Sequence, residues 1–471
     1  MTNRVEEKRH YFVNIEKWRR KNSYYHDYIK RFMKFIILEN SSILELSCRD
    51  GDLLAALNPE YGVGVDNHPE LIEIARKKYP SRNLKFICAD IEKDKIDEDK
   101  TFDYIILNGT MGEVKDVQKL LQRIAAFCNS DTRIVIIQYN PLWEPILKIG
   151  EKLRLKMPEG IKNWLSMEDI DNFLQITGYQ TISRRFLILF PKKLLFIGPL
   201  FNKFISQLPA IKRLNLVQIL VARYLIPPAD SDNKTCSVVI TCRDEKDNIE
   251  PLVQRIPQLG KHTEIIFVEG HSVDGTREEI KRVIEKYSTK DIKLLIQDGI
   301  GQEDAFRKGF DHASGDFIIW LEADLTTPPE EIARLWDVYK SGRGEFINGT
   351  RLVYRMEKGS MPLINLIGNR IFGNVFTILL GQRFTDTLCG IKGISRRNYI
   401  NIRKNLKFFG DFDPFGDFEL IFGAIKNNLK VSEVPVSYHP RKYGRTKTKP
   451  FKHGWLLIKM CWIAFKKFKL I

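Results

Sequence analysis

The chain writes one pattern twice. Short apolar runs that end in polar turns alternate with helical segments, first through residues 43–138 and again from residue 236 onward. Strands separated by helices at this spacing pair in parallel and require helices on both faces of the sheet. In the first half the strand candidates are Ile43–Leu46, Tyr61–Val65, Leu84–Cys88, Tyr104–Leu107 and Ile134–Gln138, with helices such as Pro69–Lys78 and Val114–Phe127 between them. Thr181–Leu189 and Val217–Arg223 are candidate closing strands. In the second half they are Val238–Thr241, Ile265–Val268, Leu294–Gln297 and Phe317–Leu321. The two blocks are parted by Pro227-Pro228-Ala229-Asp230-Ser231-Asp232-Asn233, paired prolines followed by small polar residues, which reads as a linker. The expectation is an α/β chain with a first domain at 1–226, a linker at 227–234 and a second domain at 235–471.

Composition narrows the partners. A net charge of +16 favours anionic ligands such as nucleotides, phosphates or an acidic membrane surface. The basic residues do not gather on a helix-turn-helix or RNA-binding signature, so no nucleic acid is expected. Seven scattered cysteines without a C-x-x-C pair argue against a disulfide framework or a zinc site. The start, MTNRVEEKRH, has no apolar core and no signal is expected there. No uninterrupted apolar run approaches the roughly 18 to 20 residues of a spanning helix. The expected location is cytoplasmic, with peripheral contact at the inner face of the membrane. Two segments are candidates for that contact: "FPKKLLFIGPLFNKFISQLPAIKRL", a packed insertion or a lipid-facing stretch, and the C-terminal "FKHGWLLIKMCWIAFKKFKLI", a membrane-interface helix or a helix docked on the domain, where Trp455, Trp462, Phe465 and Phe468 stand among lysines.

In the first half the turn after the first strand, Ser47–Asp52, lies where a doubly wound sheet approaches its ligand. Asp66, just past the second strand, is placed to accept hydrogen bonds from ribose hydroxyls. Asp90 ends the third strand, within reach of an adenine ring, and Asn108 ends the fourth. Over residues 30–180 this set resembles class I S-adenosylmethionine-dependent methyltransferases. The resemblance implies a Rossmann-like fold that binds S-adenosylmethionine through Glu45, Ser47, Gly51, Asp66, Asp90 and Asn108. The family's first motif reads E/D-x-G-x-G-x-G; here Ser47 and Arg49 take two glycine positions. An arginine there either points away, pairs with the methionyl carboxylate or blocks the pocket. No residue identifies a methyl acceptor, although Trp143 and Trp164 stand near the expected acceptor side.

In the second half "VVITCRDEKDNIEPLV" leaves Asp244 and Glu245 at a strand end, "EIIFVEGHSVDGTREEI" adds Glu269 and Asp274, and Asp304 begins a helix. Carboxylates on such loops can hold a base and a ribose. Glu322 and Asp324, two residues apart at the end of Phe317–Leu321, can face one divalent cation, Mg²⁺ or Mn²⁺, that bridges the phosphates of a nucleotide sugar. The metal would neutralise the departing diphosphate.

These residues resemble glycosyltransferase family two, of GT-A fold, and within it the dolichol-phosphate mannosyltransferase-like branch. The match runs over 236–450: Arg243-Asp244-Glu245, Asp274-Gly275-Thr276, Glu322-Ala323-Asp324-Leu325 with Pro328-Pro329-Glu330, "DTLCGIKGISR", "FGDFDPFGDFELIFGA" and Glu433-Val434-Pro435-Val436. It implies transfer of a sugar from a GDP- or UDP-sugar to a polyprenyl phosphate or related acceptor. By the same match Arg351 and Arg441 would hold phosphates; the basic segment Arg441–Lys447 reads either as a loop that closes over the diphosphate or acceptor phosphate or as a solvated basic turn. A phosphate acceptor is already ionised; for a hydroxyl acceptor, Asp413 or Asp417 are the candidate bases. This chain departs from the branch at Glu322, one methylene longer than aspartate, and at Gln302 and Glu303, which replace a lysine and a glycine. Glu303 is expected to oppose an anionic ligand. Two other functions stay open: a scaffold or binding protein without turnover, and a methyltransferase regulated by its second domain.

Overall fold

The computed structural model describes residues 15–96, 98–158, 162–193, 197–228, 230, 233–357, 359–404, 416–443 and 450–469. Asp413, the end of the Arg441–Lys447 segment and linker residues Ala229, Ser231 and Asp232 lie outside the described residues. The chain divides between Ile226 and Pro227 into two compact units.

The first unit holds strands β1 (Ser42–Leu46), β2 (Tyr61–Asp66), β3 (Leu84–Cys88), β4 (Tyr104–Asn108), β5 (Arg133–Tyr139), β6 (Tyr179–Leu187) and β7 (Val217–Tyr224). They form one sheet in the order β3-β2-β1-β4-β5-β7-β6. The first five pair in parallel, and β7 runs antiparallel between β5 and β6. The central strands are apolar at nearly every position because helices cover both faces. One face packs Ile43, Ile106, Val135 and Ile219 against the Ser23–Ile36 helix; the other packs Leu44, Val63, Ile105 and Ile134 against the Val117–Ile124 and Met167–Ile176 helices. Asp103 accepts from Ser42 N (2.7 Å) and Ser42 Oγ (2.8 Å), tying β1 to the start of β4. The insertion before β7 is anchored by buried Asn202, which accepts from Leu189 N and Phe190 N and donates to the Phe190 carbonyl and to Tyr24 Oη. Leu200, Leu208 and Leu214 of the same insertion remain more than half exposed.

The second unit holds β8 (Thr235–Cys242), β9 (His262–Glu269), β10 (Asp291–Ile296), β11 (Phe317–Glu322), β12 (Phe346–Thr350), β13 (Ile391–Ser395) and β14 (Val431–Pro435). The order is β10-β9-β8-β11-β13-β12-β14. Strands β10, β9, β8 and β11 are parallel, and β13 lies antiparallel between β11 and β12. Val238, Ile240, Ile265, Phe267, Ile319 and Trp336 centre its core. The carboxyl ends of β8, β9 and β11 therefore open on one side, where the motif acids sit.

Two long helices, Leu363–Leu380 and Pro450–Phe468, pack on each other beside these strand ends. The Leu363–Leu380 helix is long and apolar enough to cross a membrane by length and composition. The expectation that no uninterrupted apolar run reaches spanning length stands, because Asn365, Asn369, Arg370 and Asn374 interrupt this one. Leu363, Ile364, Ile367 and Ile371 are at least half exposed along it, as are Trp455, Ile458 and Trp462 on its partner.

Candidate active site

In the second unit a cavity of about 1330 Å³ opens at the carboxyl ends of β8, β9 and β11. Glu245, Glu322, Asp324, Arg351, Asp417 and Arg441 all line it. Sequence positions nearly 200 residues apart thus meet at one place.

Asp324 sits in a tight turn after β11. Its Oδ1 accepts from Thr326 N (3.0 Å) and Thr326 Oγ1 (2.7 Å), and its Oδ2 accepts from Arg441 Nη2 (2.6 Å). The same guanidinium donates through Nη1 to Glu245 Oε1 (2.8 Å), while Glu245 Oε2 accepts from Asn248 Nδ2 (2.6 Å). Glu322 accepts from Gln302 Nε2 (2.6 Å). Burial, together with the charge of Asp324, pushes the Glu322 carboxyl up to about 7. A Cβ at residue 390 would lie 2.3 Å from the Glu322 carboxyl carbon, so only glycine leaves that carboxyl in place. Gln302 is thus the hydrogen-bond partner of the first expected metal-site acid. Glu303, expected to oppose an anionic ligand, pairs with Arg307, which also pairs with Glu419.

Arg351 is largely committed. Its Nε and Nη2 donate to Asp386 Oδ2 (2.7 Å) and Oδ1 (2.9 Å) in a buried two-pronged pair, and its guanidinium lies 5.0 Å from the Tyr438 ring centroid. Asp417 pairs with the fully buried Lys392, whose ammonium also donates to the Cys389 carbonyl and lies 5.5 Å from the Trp320 ring. Asp386, Lys392 and Gly390 were not singled out in the sequence. All three fall inside "DTLCGIKGISR", so the segment was visible while the roles of its members were not.

The remaining acids expected around a nucleotide sit just outside the cavity and fasten its walls. Asp244 Oδ1 accepts from Val273 N (3.0 Å), joining the loops after β8 and β9. Glu269, fully buried, accepts from Ser272 N and from Arg277. Asp274 accepts from Thr276 N (3.0 Å), Thr276 Oγ1 and Lys246 N (3.2 Å). Asp304 Oδ2 accepts from Gly299 N (2.8 Å) and folds the 299–301 turn against its own helix. Glu433 performs the same service for Thr385 and Asp386.

Glu322 and Asp324 are oxygen donors facing one cavity, which suits a hard divalent cation. No cluster of three or more metal-ligating side chains occurs among the described residues. Any further ligands would come from phosphate and water.

The first unit has a smaller cavity, about 420 Å³, at the ends of β1, β4 and β5. Glu45, Ser47, Asn108 and Trp143 line it; Gly51, Asp66, Asp90 and Trp164 do not. Ser47, Arg49 and Gly51 have φ of 58°, 53° and 73°, the left-handed turn that glycines would adopt freely. Glu45 is 1% exposed with Oε2 unpartnered, and burial raises its carboxyl well above the usual range. Asp90 is used by its own turn, accepting from Glu92 N (2.9 Å) and pairing with Lys93 (2.9 Å). Asp66 and Asp90, the acids expected for the nucleoside, therefore stand outside this cavity and are taken up by their own turns. With those acids engaged, the residues present do not fit S-adenosylmethionine in this arrangement.

Geometry and motif order define a GT-A-like unit behind a methyltransferase-like one. Residues 16–184 match the family model described as a methyltransferase domain, and residues 237–402 match glycosyl transferase family 2. The chain thus carries a methyltransferase domain followed by a family 2 glycosyltransferase domain. Among characterised relatives, it is 27% identical over 195 residues to "Glycosyltransferase AglJ" of Haloferax volcanii, covering 41% of this chain and 60% of the relative. It is 30% identical over 222 residues to "Undecaprenyl-phosphate 4-deoxy-4-formamido-L-arabinose transferase" of Salmonella paratyphi B, covering 45% of this chain and 62% of the relative. The match therefore spans about three fifths of the length of these relatives. A solved structure of glucosyl-3-phosphoglycerate synthase from Mycobacterium tuberculosis aligns at 15% identity and a TM-score of 0.37, covering 50% of this chain and 80% of that one, too remote to bear on chemistry.

Proposed function

We propose that the second unit transfers a sugar from a nucleoside-diphosphate sugar to a polyprenyl phosphate at the membrane surface. One observation carries this reading. The cavity joins the acid and arginine cluster at one end to an apolar cleft at the other, between the Leu363–Leu380 and Pro450–Phe468 helices, lined by Ile364, Phe372, Trp455, Leu457 and Ile458. A donor made of sugar and phosphate suits the polar end. A phosphate with a long isoprenoid tail suits both ends at once. The name of one relative, undecaprenyl-phosphate 4-deoxy-4-formamido-L-arabinose transferase, contains such a lipid phosphate, which supports the same reading.

The residues divide the work. Glu322 and Asp324 would hold Mg²⁺ or Mn²⁺, which supplies charge neutralisation for the leaving diphosphate. Arg441 and the free edge of Arg351 favour phosphate at the same place. Asp417 is already engaged by the Lys392 ammonium and is not placed to take a hydroxyl's proton. An acceptor that arrives ionised needs no such base, so a phosphate acceptor fits better than a hydroxyl. The exposed apolar side chains on both helices, with lysines on the second, suit insertion at the headgroup level. Of the donor loops, Asp244, Glu269, Asp274 and Asp304 would act by shaping the base and ribose walls, with Glu245 facing the ligand.

The test is direct. The purified chain is incubated with Mn²⁺, polyprenyl phosphate and a panel of GDP- and UDP-sugars, and lipid-linked sugar is measured. Transfer from at least one donor, abolished by Asp324→Ala, is expected. No transfer from any donor, with the protein folded and bound to vesicles, overturns the reading.

A further inference from the structure

We propose that the first unit is a methyltransferase fold whose donor crevice is closed by its own side chains, so that the resting chain does not bind S-adenosylmethionine. In a doubly wound sheet the ligand crevice lies where the strand order reverses, which here is between β1 and β4. Contacts bridge that place. Thr110 Oγ1, just after β4, donates to the Leu46 carbonyl at the end of β1 (2.9 Å). Above it, Arg49 from the β1 turn reaches Glu113 Oε1 on the helix after β4 (3.3 Å). Lys162 approaches the same oxygen (3.5 Å) with its side chain 7% exposed, and its ammonium lies 5.8 Å from the Tyr139 ring centroid.

The acid that a donor's ribose requires is also spent. Asp66 is 4% exposed. Its Oδ2 accepts from the Arg49 backbone N–H (2.8 Å), and its Oδ1 faces His68 N (3.0 Å) and His68 Nδ1 (2.8 Å). Ribose hydroxyls would have to break these contacts while the carboxylate stayed buried, an unfavourable exchange. Arg49 serves both closures, its backbone on Asp66 and its side chain on Glu113. It does so at φ 53°, a conformation that costs a side-chain-bearing residue about 1 kcal/mol relative to glycine.

The two features share Arg49: its side chain is part of a strap across the crevice, and its backbone is part of a clasp on the ribose acid. The cavity that remains lies at the ends of β1, β4 and β5, with Arg49 and Lys162 in its wall, and Asp66 and Asp90 do not line it. The inference does not depend on the reading of the second unit.

The test uses the full chain and S-adenosylmethionine alone, by titration calorimetry. The natural chain is expected to give no saturable heat. Arg49→Gly removes the Arg49–Glu113 link of the strap and suits the left-handed turn, so it folds at least as well. Combined with His68→Ala, it is expected to bind S-adenosylmethionine at least tenfold more tightly than the natural chain. Circular dichroism and the unfolding temperature establish that each variant is folded. Saturable binding by the natural chain in the micromolar range overturns the proposal. So does a folded double variant with no gain in binding over the natural chain.

Discussion

The guanidinium of Arg441 stands 2.6 Å from Asp324 Oδ2 and 2.8 Å from Glu245 Oε1, so one side chain after β14 neutralises acids at the ends of β8 and β11. A divalent cation bound by Asp324 must compete with it. Arg441→Ala removes the competitor. Nucleotide-free protein is then expected to bind Mn²⁺ about tenfold more tightly, followed by loss of the free-ion resonance signal. Sugar transfer is expected to fall about 100-fold, because the diphosphate loses a positioned cation. An unchanged Mn²⁺ affinity would show that the pair does not compete with metal.

Gly390 and Glu322 make the second prediction. The Cβ of alanine at 390 would stand 2.3 Å from the carboxyl carbon of Glu322, too close for the acid to stay. Gly390→Ala is expected to cost about 1–3 kcal/mol of stability through overpacking. Turnover should fall further than stability explains, by about 100-fold, since a displaced ligand group misplaces the reacting phosphates. Denaturant titration and initial rates, measured on the same preparation, separate the effects.

Asp386 holds the backbone and side chain of Arg351 together, and both groups are buried. Burial alone would raise the Asp386 carboxyl; the Arg351 guanidinium overrides this and holds it below the usual range. Asp386→Ala strands a buried cation and is expected to cost about 3–5 kcal/mol in denaturant unfolding near neutral pH. Because the folded carboxyl titrates below its unfolded value, the pair's stabilisation is full above that unfolded value, about 4. It is lost as pH falls through the folded one. The gap between Asp386→Ala and the natural chain should therefore close only in acid.

Much of this was legible in the residues. Apolar runs gave the strands of the first sheet to within a residue or two and the cores of β8–β11 in the second, because parallel strands buried on both faces leave a continuous apolar signature; the short strands β12, β13 and β14 left no such run. The order of motif acids brought Glu245, Glu322, Asp324, Arg351, Asp417 and Arg441 to one cavity. What could not be read was which atoms are free. Asp244, Glu269 and Asp274 have the residue type of ligands, yet here they hold turns, a choice made by backbone geometry that no spacing reports. Asp66 is the sharpest case: its position is that of a ribose acid, and its hydrogen bonds are those of a clasp. The role of Arg49 depended on side-chain direction alone. The Leu363–Leu380 helix was missed for another reason: its polar residues broke the run without breaking the helix.

His26 gives a pH prediction in the first unit. Burial, aided by Arg19 and Arg49, lowers its imidazole to about 4. A base with a lowered folded pKa binds fewer protons folded than unfolded, so stability is lost as pH falls from about 6.5 toward 4. His26→Gln is expected to remove that slope, a difference on the order of 2 kcal/mol across the interval. Unfolding of the two proteins at pH 7, 5.5 and 4 measures it. Parallel pH dependences would show that the imidazole is free to ionise in the folded chain.

The last prediction concerns the helix pair at the apolar end of the larger cavity. Trp455 and Trp462 are 61% and 62% exposed on a helix that also carries Lys459, Lys466 and Lys467. Indoles that project beside lysines have an apolar body for the acyl boundary and a donor for the headgroups, while the ammonium groups meet anionic lipid. If this face lies on the membrane, Trp455→Ala with Trp462→Ala is expected to lower binding to anionic phospholipid vesicles about tenfold or more, since each indole removes sizeable apolar area from the interface. Binding of both proteins should weaken as salt rises, because the lysine contribution is screened and remains in the variant. Transfer to a lipid-linked acceptor in vesicles should fall with binding, while transfer to a short-chain acceptor phosphate in detergent should not. A variant that binds vesicles as tightly as the natural chain places the membrane contact elsewhere and leaves the cleft to the acceptor's tail alone.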